Sequence, residues 1–317
     1  MTLHLPLQLT LPNEGPLQIA ATLFEPSTDT AEPILLVCLP GGGMNRGYFD
    51  LMPDDGDTSF SFARQMSKRG FHVLTMDHLG IGDSTRPADG YLLDTELLAQ
   101  ANDEALRQVL AGLREKIPQL RSIGVGHSMG AMLSLLQQAR YKTHAAIALL
   151  GFSTRGLPDY TPPAQAGLAK DPGQLREQLP ALARRMFREP YPKVQRDPQA
   201  KGIFGGSTAE PRGIAALKAA SDEPLLPLPA YHSMLPGNVA PAAALIDVPV
   251  FIAVGDRDMA GPPQQIPAAF TASRDIELQV LPETGHAHFL FAARHQLFDR
   301  LAVWTRSVSA PRGELAP

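Results

Sequence analysis

One cysteine, one tryptophan and an aromatic share of only 6% define this chain first by what it lacks. The lone Cys38 excludes an internal disulfide and a thiolate metal cluster. Its place inside Ile34-Leu35-Leu36-Val37-Cys38-Leu39 reads as a small buried hydrophobe, not a reactive thiol. No apolar run approaches the roughly 20 residues that cross a bilayer. The N-terminus has neither a basic start nor an apolar block ending in small residues, and Leu3, Leu5, Leu7, Leu9 and Leu11 alternate with polar or small neighbours as a strand does. A cytoplasmic protein without membrane attachment is therefore expected. There is no basic excess either: 28 Lys and Arg stand against 32 Asp and Glu, scattered along the chain, for a net charge of -4. Nucleic acid is not an expected partner. Gly41-Gly42-Gly43 lacks the Gly-Lys-Ser/Thr ending of a phosphate loop, and Gly80-Ile81-Gly82 lacks the third glycine of a dinucleotide fingerprint. No cofactor and no metal is expected.

What is present is an ordinary globular composition, 44% hydrophobic over 317 residues, enough for a large core. Residues 3–11 and 17–24 flank the turn former Pro12-Asn13-Glu14-Gly15 and predict an antiparallel hairpin at a sheet edge. From residue 34 onward, short apolar runs (34–39, 72–76, 122–125, 145–150) alternate with helical stretches (60–69, 95–116, 131–139), the rhythm of parallel strands joined by crossover helices. The rhythm breaks between residues 151 and 241, which hold 14 of the 30 prolines and short helical pieces at 174–188 and 212–220. Met186, Phe187, Tyr191, Phe204, Leu217 and Tyr231 in this stretch need burial, so it reads as an ordered, mainly helical cap inserted into a core formed by 1–150 and 242–317. Strands resume at 250–254 and 276–281, and an amphipathic helix over about 289–308 closes the fold. The expected class is α/β, a mostly parallel sheet flanked by helices.

Gly126-His127-Ser128-Met129-Gly130 lies where one of those strands turns into a helix. A serine between two glycines at such a corner is a nucleophile elbow. The turn forces a strained serine backbone, the small neighbours avoid collision, and the hydroxyl is presented at a helix N-terminus that favours negative charge. A serine hydroxyl is a weak nucleophile and needs a base and a group to orient that base. Two loops at C-terminal strand ends supply them, Gly255-Asp256-Arg257-Asp258 and Pro282-Glu283-Thr284-Gly285-His286. Asp258 is preferred as the orienting acid because two intervening residues let the chain turn back over the sheet; Asp256, which also reads as a turn residue, is the alternative. The preceding strand is followed by Gly151-Phe152-Ser153-Thr154, with no carboxylate. His286, after a glycine in a tight loop, is the expected base, with His288 as alternative; at the head of the final helix, His288 otherwise reads as a cap or surface residue. His127 is expected to point away from the serine, and His72, His78, His144, His232 and His295 to be ordinary polar residues. The expected oxyanion donors are the N–H of Met129 and one from the glycine run after Leu39, Gly42 first and Gly43 second. Candidates for contacting substrate are Phe152, Phe187, Tyr191, Phe204 and Tyr231, with Arg46 as an anchor for a substrate carboxylate.

With these residues in order, the chain resembles the α/β-hydrolase family over nearly its whole length outside the cap. The resemblance is carried by the elbow, the glycine run after Leu39, the turn from Asp77 to Ser84, the G-x-x-D at Gly255 to Asp258 and the G-H at Gly285 to His286. One departure is Pro40, where many members carry a histidine before the glycines. Serine at 128 sets the chain apart from branches with an aspartate nucleophile. The resemblance implies a serine hydrolase acting on a small-molecule ester, thioester or lactone through an acyl-enzyme. Members that turn the same triad to carbon-carbon cleavage, lyase or cofactor-free perhydrolase chemistry form the alternative, and a non-catalytic ligand receptor on the same scaffold is a third reading.

Overall fold

The computed structural model describes residues 1–28, 32–158, 161–165, 167–193 and 208–309. The alternating leucines at the N-terminus enter β1 (Thr2–Pro6), which pairs antiparallel with β2 (Gln18–Phe24), Leu5 opposite Ile19. Six further strands are mutually parallel: β3 (Ile34–Leu39), β4 (His72–Met76), β5 (Arg121–His127), β6 (Ala146–Leu150), β7 (Val250–Gly255) and β8 (Ile276–Leu281). The sheet order is β1-β2-β4-β3-β5-β6-β7-β8, with β2 antiparallel to β4. The continuous apolar runs are continuous because both faces are covered. Leu35, Val37 and Leu39 of β3 enter one apolar core, and Ile34, Leu36 and Cys38 enter the other.

Crossover helices cover both faces. They are α1 (Phe62–Lys68), α2 (Thr95–Arg114) and α3 (Met129–Tyr141). In α2, Leu98, Ala101, Ala105, Val109 and Leu110 recur at helical spacing on the buried side, and the Asp94 side chain caps the first turn by accepting from Leu97 N. Between β6 and β7 lie α4 (Pro172–Phe187), α5 (Pro211–Ala220), α6 (Pro227–Met234) and α7 (Ala240–Ala243), and α8 (Arg294–Ser309) follows β8. Leu175, Leu179 and Ala183 of α4 join Leu228 and Tyr231 of α6, with Tyr91, in a small apolar core of their own.

Pro227 and Pro229 open α6: they fall in the first turn, where the backbone N–H has no intrahelical acceptor to lose. One element differs from the sequence expectation. The closing helix begins at Arg294, not near 289, because His288–Leu290 form a separate 3-10 turn whose Phe289 and Leu290 are buried. Apolar residues run from Phe289 through Ala293 into α8, so the boundary left no trace in the pattern.

Burial pushes His78 and His144 down to about 4. The unfolded chain takes up these protons below about pH 6.5 while the folded one does not, so between about 6.5 and about 4 the unfolded state binds more protons. Folding stability should therefore fall as pH drops through that window, by about 1 kcal/mol per pH unit for each histidine. A urea midpoint unchanged between pH 7 and pH 4.5 would contradict this.

Candidate active site

Ser128 closes β5 and opens α3 with φ 53° and ψ -120°, a region few non-glycine residues enter, and its N–H is held by Leu150 O at 2.8 Å. The flanking glycines are required by close approach. A Cβ at Gly126 would lie 2.3 Å from Ala131 Cα, and one at Gly130 would lie 2.1 Å from Leu39 O, both inside any tolerable contact with backbone. Gly130→Ala must push α3 away from β3, so a loss of roughly 1–3 kcal/mol in folding stability is expected. A wild-type melting temperature for this variant would contradict the fit.

The hydroxyl of Ser128, half-buried at the rim of the sheet, lies 2.9 Å from His286 Nε2, and His286 Nδ1 lies 2.8 Å from Asp258 Oδ1. An ionised carboxylate only accepts, so Nδ1 carries the imidazole proton and Nε2 is free to accept from the serine. Burial by itself raises the Asp258 carboxyl, but the neighbouring His286 charge and hydrogen bonds from His286 and His288 outweigh it and hold the group well below the usual carboxylate range. Ala260 N also donates to Asp258 Oδ1, at 2.9 Å. Asp256, the alternative acid, faces elsewhere: its carboxylate accepts from Glu283 N at 2.9 Å and Thr284 N at 3.0 Å, tying the loop after β7 to the one that carries His286.

His288 corrects the sequence reading. It is neither a surface residue nor a cap of α8; its side chain is 0% exposed and its Nε2 donates to Asp258 Oδ2 at 2.9 Å. The 3-10 turn that delays α8 is what folds it back beside the carboxylate. His127 does point away from Ser128. Its Nε2 donates to the His286 backbone carbonyl at 2.8 Å and its ring lies 4.5 Å from that of Tyr48. Burial, followed by the charges of His286 and His288, pushes its pKa well below the ordinary histidine value.

The glycine run sits against the elbow. A Cβ at Gly42 would lie 4.0 Å from Met129 Cβ, and among the described residues neither Gly42 N–H nor Met129 N–H meets an acceptor. Gly43 takes φ 71°, and Met44 N returns to Gly41 O to close the turn. The Pro40 carbonyl that opens this loop accepts from buried His78 Nε2 at 3.0 Å.

A pocket of about 50 Å³ opens beside Ser128, lined by Phe152, Leu157, Ser233, Met259 and Ala260 among others. Phe152 is the only described aromatic candidate in it. Tyr231 points into the small core around α4 and donates its hydroxyl to Gln165 Oε1. Phe187 packs against that same core, and Tyr191 donates to Pro87 O at 2.7 Å. Phe204 lies outside the described residues. Arg46 is corrected too. Its guanidinium is committed to buried Asp77, to Asp83 at 2.7 Å and to Thr22 Oγ1 at 3.1 Å, so it cannot also anchor a substrate carboxylate; it braces the turn from Asp77 to Ser84. A larger apolar cavity, about 190 Å³ between α4, α6 and α2, does not reach Ser128. Among the described residues no cluster of three or more His, Cys, Asp or Glu is placed to hold a metal, and no helix is long and apolar enough to cross a membrane.

A family model described as the alpha/beta hydrolase family matches residues 36–300. A monoacylglycerol lipase of Mycolicibacterium smegmatis is 24% identical over 260 residues, 76% of this chain and 80% of that protein. Among solved structures, the Paleococcus ferrophilus monoacylglycerol lipase superposes with a TM-score of 0.60 at 16% identity, covering 92% of this chain and 99% of that one. The proline iminopeptidase of Mycobacterium smegmatis does so with a TM-score of 0.58 at 18% identity, covering 98% and 99%. Proteins named for different bonds share this frame, so the fold does not choose the bond.

Proposed function

Because the chain belongs to the alpha/beta hydrolase family, we propose that it hydrolyses a small carboxylic ester, thioester or lactone through an acyl-enzyme on Ser128. The observation that carries this reading is the unbroken hydrogen-bond line from Ser128 Oγ through His286 to Asp258, at 2.9 and 2.8 Å, beside a pocket and at a helix N-terminus. The ester-directed name of the monoacylglycerol lipase relative supports the choice of bond.

In this reading Ser128 Oγ attacks the carbonyl carbon while its proton passes to His286 Nε2, and Asp258 stabilises the imidazolium that forms. The oxyanion settles on the N–H groups of Gly42 and Met129, which have no other acceptor among the described residues. As the tetrahedral species collapses, His286 gives its proton to the leaving oxygen or sulfur. Water, deprotonated by the same imidazole, then releases the acid. Residues 151–241 act as a cap whose α6 and the segment after β6 wall the pocket through Ser233 and Phe152.

A space of about 50 Å³ suits a short acyl group. Phe152→Ala should therefore raise kcat/KM for a hexanoyl ester relative to an acetyl ester by about tenfold, the scale of a methylene or two in an apolar pocket. Tyr231→Ala should instead lower the melting temperature and leave that ratio alone. Equal ratios in all three proteins would remove Phe152 from the acyl wall. The reading as a whole is tested by turnover of p-nitrophenyl esters from acetate to octanoate; hydrolysis lost in Ser128→Ala is the expected result, and no turnover at any length would overturn it.

A further inference from the structure

The Asp258 carboxylate is gripped by two histidines, one on each oxygen: His286 Nδ1 on Oδ1 at 2.8 Å and His288 Nε2 on Oδ2 at 2.9 Å. All three side chains are sealed from solvent, at 0 to 1% exposed. The two bonds are not alike. Oδ1 also accepts from Ala260 N, whereas His288 is the one donor to Oδ2 among the described residues. The tautomer of His288 is fixed by its partner, since an ionised carboxylate needs the proton on Nε2. The other ring nitrogen, Nδ1, is buried and without a partner among the described residues, so a second proton there would have no acceptor. His288 therefore meets Asp258 as a donor through Nε2. The titratable groups facing this cluster are His127 at the end of β5, with its ring 5.9 Å from that of His288, Ser128 at the elbow, and Tyr48 from the 3-10 turn at Arg46–Asp50, stacked on Phe289. His127 is neutral and already bonded to the His286 carbonyl, so it does not replace the donor.

We infer that His288 is a positioning residue for the proposed reaction: by donating to Oδ2 it fixes the plane of the Asp258 carboxylate and draws charge from it, setting both the aim and the basicity of His286. This rests on the ester-hydrolase reading of Ser128. Without the bond, Oδ2 becomes a buried charged oxygen with no donor, the carboxylate turns or presses more charge onto Oδ1, and the imidazolium form of His286 is favoured to higher pH.

The test is the second-order rate at which a fluorophosphonate labels the protein, followed against pH. In that reaction a bond forms from Ser128 Oγ to phosphorus, fluoride leaves, and His286 takes the serine proton, so the rate reports serine activation whatever the natural substrate is. His288→Leu should slow labelling by about 10- to 100-fold, the worth of one hydrogen bond to a charged group, and move the acid limb up by about half to one pH unit. His288→Gln, whose amide N–H reaches nearly the same point as Nε2, should recover most of the rate and return the limb. If the leucine variant does not fold, His288→Asn, too short to reach Oδ2, should give the same loss and shift. Leucine and glutamine variants equally slow with the acid limb unmoved would reduce His288 to packing, and a leucine variant as fast as wild type would remove it altogether. Failure of the wild type to label at all would instead overturn the reading of Ser128, a result separable from both.

Discussion

Ser128→Ala should lower ester turnover by at least about 10⁴-fold while leaving the fold intact. The size follows from the chemistry: the proposed reaction runs through a covalent acyl-enzyme, and no other hydroxyl occupies the elbow. The fold survives because Ser128 is held there by its backbone, through the 2.8 Å bond from its N–H to Leu150 O, while its side chain stands at the rim of the sheet. Alanine must still take φ near 53°, so a modest fall in melting temperature is expected alongside the loss of activity. His286→Ala should match it, since groups that act as a unit lose their effect together. The measurement is steady-state hydrolysis beside circular dichroism of each variant. Folded Ser128→Ala with turnover above about a hundredth of wild type would place the nucleophile elsewhere.

Asp258→Asn is expected to cost about 10⁴-fold in kcat with little change in KM. An asparagine has one oxygen and one N–H₂ where the aspartate has two acceptors, and here both acceptors are in use, by His286 and His288. If the amide oxygen faces His286, the amide N–H₂ meets the N–H of His288, and that clash must be relieved by changing its tautomer. If the amide is flipped, His286 must put its proton on Nε2, the nitrogen that has to accept from Ser128. The paired histidines thus make the substitution more disruptive than loss of charge alone, and Asp258→Glu, ionised but one methylene longer, should also be impaired. An Asp258→Asn variant within tenfold of wild type would mean that the carboxylate is not what orients His286.

How much of this was legible in the sequence depended on how local each signal was. The elbow is five consecutive residues whose glycines answer contacts made within the same turn and the adjoining strand, so Gly126, Ser128 and Gly130 spoke for themselves. The parallel strands were readable because covering both faces leaves an unbroken apolar run. Asp258 and His286 could be named because each follows a strand directly, and strand ends converge in an open parallel sheet.

His288 could not be read in the same way. Its partner is 30 residues earlier in the chain, and only the 3-10 turn between His286 and α8 brings the two together. Had the apolar spacing of 289–291 not continued so smoothly into α8, the break would have signalled that turn. The aromatic candidates failed for a related reason: Tyr231, Phe187 and Tyr191 are as apolar as pocket walls but serve a second small core and the loop near Pro87, and composition does not separate those roles. Arg46 stands 31 residues from Asp77 and 37 from Asp83, so its commitment to them was visible only in the fold.

The central claim is that Ser128 carries the acyl group during turnover. It is tested most directly by quenching the protein in acid while it turns over p-nitrophenyl acetate and mapping acetylated peptides by mass spectrometry. One acetyl group on the peptide that contains Ser128, absent from Ser128→Ala and from protein quenched after the ester is exhausted, is the predicted result. Rapid ester turnover with no acetyl on that peptide, or with the group on another side chain, would contradict it.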